Sequence, residues 1–391
     1  MNRNKMSYKT GQFIMFAGIS TVLFFAVVIL PFIYGLYLTF TSWDGVSRAK
    51  PFVGFANYAA AFSDMDFWAA LGRTLIYSAI SVIMINVVAF LLAYMVTSGL
   101  KGQNFFRAGF FIPNLIGGIV LGYVWQFVFN RAFPVIFKGT TSMLGTSHGA
   151  MAALIIVSVW QYAGYMMLIY VAGFMSVSKS LIEAAQIDGC TPTQSAWYVT
   201  VPLMRSSFVQ CLFLSITRCF MVYDVNLSLT KGEPYGSSVM AAMHVYNQAF
   251  TYKNYGVGQA QALILFAVCA VVGVTQVYIG KKGEEAALID GCTRWKTWWR
   301  VVFPLLKPTI ATVAIIDAMA FWNDYLLPSL VLQKKELYTV PIATQAFYGT
   351  YTSDLGLIMA ALLLAMLPIL ILYVLLQRFI VEGVTSGAVK G

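Results

Sequence analysis

Apolar residues in this chain gather into eight long blocks, at roughly 13–40, 74–96, 105–129, 151–174, 208–229, 260–279, 309–332 and 355–380. A helix needs about 20 residues to cross a bilayer, and each block is long enough. The pattern predicts an all-α polytopic membrane protein with about eight transmembrane helices. Two blocks are weaker than the rest: the fifth carries Arg218 and Asp224, and the seventh carries Asp317, Asn323 and Asp324. The first block follows Arg3, Lys5 and Lys9, as the core of a secretion signal would. Its apolar run is too long for such a core, and no small-residue cleavage site closes it, so it reads as a retained span.

Between the blocks, one polar phrase occurs twice. EAAQIDGCTPTQSAWYVTVP runs from Glu183 to Pro202, and EAALIDGCTRWKTWWRVVFP runs from Glu285 to Pro304. In the first copy, Ser180 and Glu183 have capping-box spacing, which predicts a short helix from Leu181 to about Gly189, a good left-handed stop. Asp188 opposes the dipole at that helix end, a placement that suggests a turn or a contact. Thr191-Pro192-Thr193-Gln194 then reads as a second box opening a second short helix. Ala184 and Ala185 are small enough for the first helix to approach another surface closely. The unit suits docking into a groove, or it is an amphipathic connector lying in the interface. Repetition favours docking, because a connector does not need its sequence copied.

Composition agrees with the membrane class: of 391 residues, 59% are hydrophobic and 10% charged. With the N-terminus in the cytoplasm and eight alternating spans, fifteen Lys and Arg residues fall inside and nine outside. The positive-inside bias therefore places both termini and both repeated phrases in the cytoplasm. It also accounts for most of the net charge of +10; a nucleic-acid role would need a clustered basic patch, which the sequence lacks. The five cysteines form neither a disulfide framework nor a zinc pattern. Cys190 and Cys292 hold equivalent places in the two copies, whereas Cys211, Cys219 and Cys269 lie in spans and read as small packing residues. His148 and His244 have no company at metal-ligand spacing, so no metal site is expected.

Glu-Ala-Ala, a Gly after three further residues and a closing Pro resemble the EAA loop of permease subunits in ABC-type importers. Glu183, Ala184, Ala185, Asp188, Gly189 and Pro202 match it, as do Glu285, Ala286, Ala287, Asp290, Gly291 and Pro304; Cys190 and Cys292 stand where many members have Ala. The resemblance implies a coupling helix that sits in a cleft of a cytoplasmic ATPase. Residues 1–282 resemble a complete six-span permease of the carbohydrate-uptake type, with Tyr223-Asp224-Val225-Asn226-Leu227-Ser228-Leu229-Thr230 typical of it. Residues 283–391 resemble the last third of the companion subunit, through Phe321-Trp322-Asn323-Asp324-Tyr325 and the tail from Gln377 to Gly383. The implied fold is that of a type I ABC importer permease, a six-span unit followed by a two-span partial unit. The implied location is a bacterial plasma membrane.

The same resemblance implies partners: ABC ATPase subunits that use the ATP, an extracytoplasmic sugar-binding protein, a companion permease and membrane lipid. No cofactor is bound directly. The second phrase follows the sixth block almost at once, so the second unit has nothing resembling its first four spans. It also has Lys282 where the first has Ser180, and Lys296 where the first has Gln194, so both capping boxes are missing. An in-frame fusion that lost about four spans explains this, the alternative being a true eight-span architecture with a duplicated coupling loop; either a working permease or an inert remnant could result. Polar groups inside spans usually face a cavity or a partner, which makes Arg218, Asp224, Asp317, Asn323 and Asp324 candidates for the translocation path. Arg218 and Asp224, six residues apart, should lie on different faces of one helix. A polytopic enzyme would need a nucleophile, zinc or phosphate-loop pattern, and none is present.

Overall fold

The computed structural model describes residues 18, 21–45, 47–99, 101–137, 142–280, 317–332, 334–350 and 355–388. The fold is helical; among the described residues the only ladder contact is an isolated bridge between Thr41 and Phe52. Among the described residues, six helices are long and apolar enough to cross a membrane: α1 (Thr21–Leu38), α3 (Met65–Thr97), α5 (Gly118–Ile136), α6 (Ser147–Ser176), α11 (Tyr255–Gly280, apolar over Tyr255–Thr275) and the Gly356–Leu375 part of α14 (Leu355–Ala388). A bent pair, α8 (Pro192–Leu203) and α9 (Arg205–Phe220), meets at 69° and would make a seventh. The shorter helices are α2 (Ala56–Ser63), α4 (Gln103–Phe111), α7 (Lys179–Ile187), α10 (Ala241–Tyr246), α12 (Leu326–Val331) and α13 (Val340–Thr350).

Three of the eight expected spans are not continuous helices. The third is interrupted after α4, because Pro113 has no N–H to continue the ladder. A single 3₁₀ turn (Ile112–Leu115) follows, Ile116 and Gly117 are extended, and α5 restarts at Gly118. The fifth is interrupted between α9 and Asp224, with Met221 at φ −97, ψ 23. The seventh, described from residue 317, breaks at Asp324-Tyr325 between helical residues 317–323 and α12.

Two compact units emerge, Met1–Leu71 with Ala241–Val268, and Gly72–Met240 with Cys269–Gly391. In the first, Asn57 Nδ2 donates to the carbonyls of Thr39 and Thr41, both at 2.8 Å, and fixes the exit from α1. Asp64 caps α3: its Oδ1 accepts from the backbone of Asp66 and Phe67 at 3.0 and 3.1 Å. Its Oδ2 accepts from Gln261 Nε2 at 2.8 Å and faces His244 Nε2 at 3.1 Å. One carboxylate therefore ties together α3, α10 and α11.

The second unit is built around α6. Tyr170 donates from it to Asn86 Oδ1 at 2.8 Å, and Asn86 Nδ2 donates on to Ser215 Oγ at 3.0 Å, so α3, α6 and α9 share one polar thread. Phe90, Tyr170 and Phe208 pack around it with centroids 5.0–5.7 Å apart. Gly164 lets α6 approach α4 closely: a Cβ there would lie 1.7 Å from the Phe110 carbonyl oxygen. The chain's last third packs on the same core. Tyr373 of α14 stacks on Phe111 at 5.2 Å, and Tyr373 and Ile369 belong to the central apolar cluster.

Two outcomes follow. Gly164→Ala forces a side chain onto backbone and should destabilise the detergent-solubilised protein by about 1–3 kcal/mol, whereas Gly109→Ala, which meets open space, should be neutral; thermal melting compares them. Burial pushes the Asp64 carboxyl up, but hydrogen bonds from Phe67, His244 and Gln261 outweigh it and hold it below its ordinary range. The folded state then binds its proton at lower pH than the unfolded chain. Asp64 therefore stabilises fully above the ordinary carboxylate pKa, and the contribution fades as pH falls through the depressed value. The melting temperature of Asp64→Asn should lie below wild type at neutral pH and converge on it in acid; equal gaps at both would refute the assignment.

Candidate functional site

The three helix breaks converge. The 3₁₀ turn and Gly117-Gly118, the segment after α9, and Asn323-Asp324 line one cavity of about 520 Å³ in the second unit. Broken helices free backbone carbonyls, and in an apolar surround each needs a donor. Here side chains supply them. Asn323 Nδ2 donates to Leu115 O at 2.9 Å and Gln161 Nε2 to Ile116 O at 3.1 Å.

Close approach depends on glycine. A Cβ on Gly117 would meet Asn323 Oδ1 at 2.7 Å, one on Gly118 would meet Asp224 Cβ at 2.7 Å, and one on Gly122 would meet Ser228 Oγ at 1.9 Å. Gly118 and Gly122 stand four apart, a small-xxx-small face that lets the segment from Asp224 to Leu229 lie against α5. Asn226, fully buried, donates to Ser238 O at 2.8 Å and accepts from Met240 N at 3.1 Å, anchoring the loop beyond.

Four of the five expected path residues, Arg218, Asp224, Asn323 and Asp324, line this cavity; Asp317 does not, and is exposed on its helix. The expected separation of Arg218 and Asp224 on opposite helix faces is corrected. The helix ends at Phe220, and the non-helical Met221–Tyr223 stretch brings Asp224 round to the same cavity. The Arg218 guanidinium lies over the rings of Tyr162 and Tyr165, at 5.5 and 6.0 Å. Gln161 is 5% exposed, and its Oε1, like Asn114 Oδ1, has no hydrogen-bond partner among the described residues. The cavity thus offers amide and carboxylate acceptors, a guanidinium donor and a tyrosine, a lining suited to a polyhydroxylated solute. Sequence reasoning missed Asn114, Gln161 and the glycines. The available signals were the Gly118–Gly122 spacing and a lone amide inside an apolar block.

The first copy of the repeated phrase forms α7, a turn and α8. Gly189 is left-handed at φ +87, and Cys190 N returns to Ala185 O at 2.9 Å. The Thr191–Gln194 capping box forms as expected. The Ser180–Glu183 box does not: α7 starts two residues earlier, Ser178 occupies the cap position without a side-chain cap bond, and the two serine hydroxyls pair at 2.7 Å. Glu183, Ala184, Asp188, Gly189 and Pro202 are exposed. Ala185 is 8% exposed and turned into its own unit, which corrects its expected place on the approach face. That face instead carries Ile187 (86% exposed), Trp197 and Tyr198 (77%), which sequence reasoning did not single out. The second copy, with Glu285, Ala286, Ala287, Asp290, Gly291 and Pro304, lies outside the described residues.

The sequence pattern of one protein family, described as "Binding-protein-dependent transport system inner membrane component", matches residues 85–284 and again residues 278–386. The probable starch degradation products transport system permease protein AmyD of Thermoanaerobacterium thermosulfurigenes is 38% identical over 263 residues, covering 66% of this chain and 90% of that protein. AmyC, named likewise in the same organism, is 46% identical over 124 residues, covering 30% of this chain; the chain spans under half of AmyC's length. A bacterial ABC transporter that imports the acidic polysaccharide alginate shares the fold of one of its chains, with a TM-score of 0.62 at 18% identity over 73% of this chain and 100% of that one.

Removing the donor that serves the α4–α5 break should cost stability. Asn323→Leu leaves the buried Leu115 carbonyl unpaired and should lower stability by about 1–3 kcal/mol, read as a lower melting temperature. Asn323→Asp, which also cannot donate when ionised, should behave alike, whereas Asn323→Gln should recover part of the loss.

Proposed function

The chain belongs to the family of inner-membrane components of binding-protein-dependent transport systems, and from that we propose that it lines the path of an ATP-driven importer of a neutral sugar or a related polyol-like solute. The observation that carries this reading is the polar cavity at the meeting of three broken spans in a multi-pass membrane protein. Solute would reach it from a binding protein on one side and leave as the surrounding segments change their openings. The contacts that distinguish the two states must differ in free energy, because a ligand indifferent to both shifts nothing. The starch-product relatives support a sugar as cargo.

In this reading, residues 1–282 are a six-span permease and residues 283–391 a partial second unit that contributes Asn323 and Asp324 from across the cavity. The two family matches, the second beginning at residue 278, support that division. The α7–α8 element faces the cytoplasm and fits a cleft of an ATPase subunit, with Ile187, Trp197 and Tyr198 as its apolar contact and Glu183, Ala184, Asp188 and Gly189 beside them. Glu285, Ala286, Ala287, Asp290, Gly291 and Pro304 would repeat the contact. ATP is used by the partner, and both termini lie in the cytoplasm.

A vesicle-reconstituted importer containing this chain, a sugar-binding protein and ATPase subunits tests the reading. Uptake should require ATP and rise when an intact companion permease is added. Uptake undiminished without a companion would show that the partial second unit suffices. Ile187→Asp should lower uptake at least about tenfold, the scale of a desolvated apolar anchor, with the amount of chain in the membrane unchanged. Cysteine at Ala184 should cross-link to the ATPase and react with impermeant reagents only from the cytoplasmic face.

A further inference from the structure

The first unit holds a second cavity, of about 170 Å³, lined chiefly by apolar groups that include Leu38, Trp43, Phe250, Tyr255 and Ala262. Its level in the membrane follows from its walls. Leu38 is the last residue of the span α1, and Tyr255 is the first of the span α11. The cavity therefore sits where two spans leave the hydrocarbon, at the depth where Trp and Tyr collect. Of the lining side chains Gln259 brings an amide and the rest are largely apolar, so the cavity favours an apolar guest over water, which would need two or more polar partners. The polar edge of Trp43 is already committed, its Nε1 donating to Ser47 O at 2.8 Å.

A cation stands beside the mouth. The Lys50 ammonium lies 5.4 Å from the Trp43 ring and 5.2 Å from the Tyr34 ring, and donates to the Tyr34 hydroxyl at 2.6 Å. The Tyr34 hydroxyl bond and the Trp43 ring hold it in place while leaving ammonium donors available. The hairpin that carries Trp43 and Lys50 is itself fixed: Gly45 is left-handed at φ +85 under the Tyr255 ring, where a Cβ would fall 2.4 Å from the ring carbons. Trp43 and Tyr255 then close over the slot with centroids 5.9 Å apart.

We infer that this slot and Lys50 form a binding site for one anionic phospholipid, with part of an acyl chain in the cavity and the phosphate on the ammonium. The apolar slot sets occupancy and the lysine sets headgroup preference, so two variants separate the two contributions. Native mass spectrometry of the purified full chain, equilibrated with equal phosphatidylglycerol and phosphatidylethanolamine, should show one retained lipid, enriched in phosphatidylglycerol about fivefold, the amount one lysine supplies near a membrane surface. Lys50→Gln should keep the lipid but erase the enrichment. Ala262→Phe, which fills the slot, should lower occupancy of both lipids at least fivefold; Ala249→Leu serves as a second filler if the first variant fails to fold. Undiminished occupancy in a folded filler variant, the same enrichment in Lys50→Gln, or detergent alone in the slot of the wild-type chain would overturn the inference. None of these readouts depends on transport, so a failed uptake assay leaves this test intact.

Discussion

A backbone carbonyl within a bilayer has no water to turn to, and every break in a spanning helix must be answered by another part of the protein. Three spans are broken among the described residues, and side chains answer the carbonyls freed between α4 and α5. Gln161 and Asn323 each donate to a carbonyl in the α4–α5 interruption. Each unanswered group would cost a few kcal/mol in such a setting. The α4–α5 break is tolerable because its donors are built in, and the broken segments line the cavity.

Glycine makes the arrangement geometrically possible. Gly117, Gly118 and Gly122 leave room for Asn323, Asp224 and Ser228 at distances where a Cβ would collide. Without a hydrophobic force between helices in lipid, such close contact is what holds spans together. The donors and the glycines are therefore one device: the glycines bring the segments near, and the nearness lets the amides reach the freed carbonyls. The last third of the chain takes part in it through Asn323, while Tyr373 and Ile369 add apolar contact against α4 and the central cluster. A segment matched separately to the family pattern is thus packed into the same unit as the cavity it helps to line.

The α7–α8 element meets a different constraint. It has its own caps and its own left-handed turn, so its shape is set locally. Its exposed apolar side chains are not needed for that shape. Ile187 and Tyr198 leave most of their surface free, and Trp197, although its ring approaches Phe90 at 6.4 Å, is 61% exposed, which leaves a contact face for another protein.

Much was legible in the sequence because hydropathy acts residue by residue. Long apolar blocks must enter a membrane, Gly189 must turn, and Thr191 with Gln194 must cap; these depend on neighbours along the chain. The repeated phrase and the polar residues within spans were visible for the same reason. What only the tertiary structure decided is who meets whom. Pro113 lies inside an apolar block that reads as one continuous span, and no Pro or Gly marks the break at Met221–Tyr223, so Asp224 joins Arg218 at one cavity against the helical-wheel expectation. The inward turn of Ala185 and the start of α7 at Lys179 were likewise settled by packing. Periodicity specifies a face, whereas a bent span re-aims that face, and the donors at the bend come from far along the chain, Gln161 45 residues and Asn323 208 residues from the carbonyls they serve.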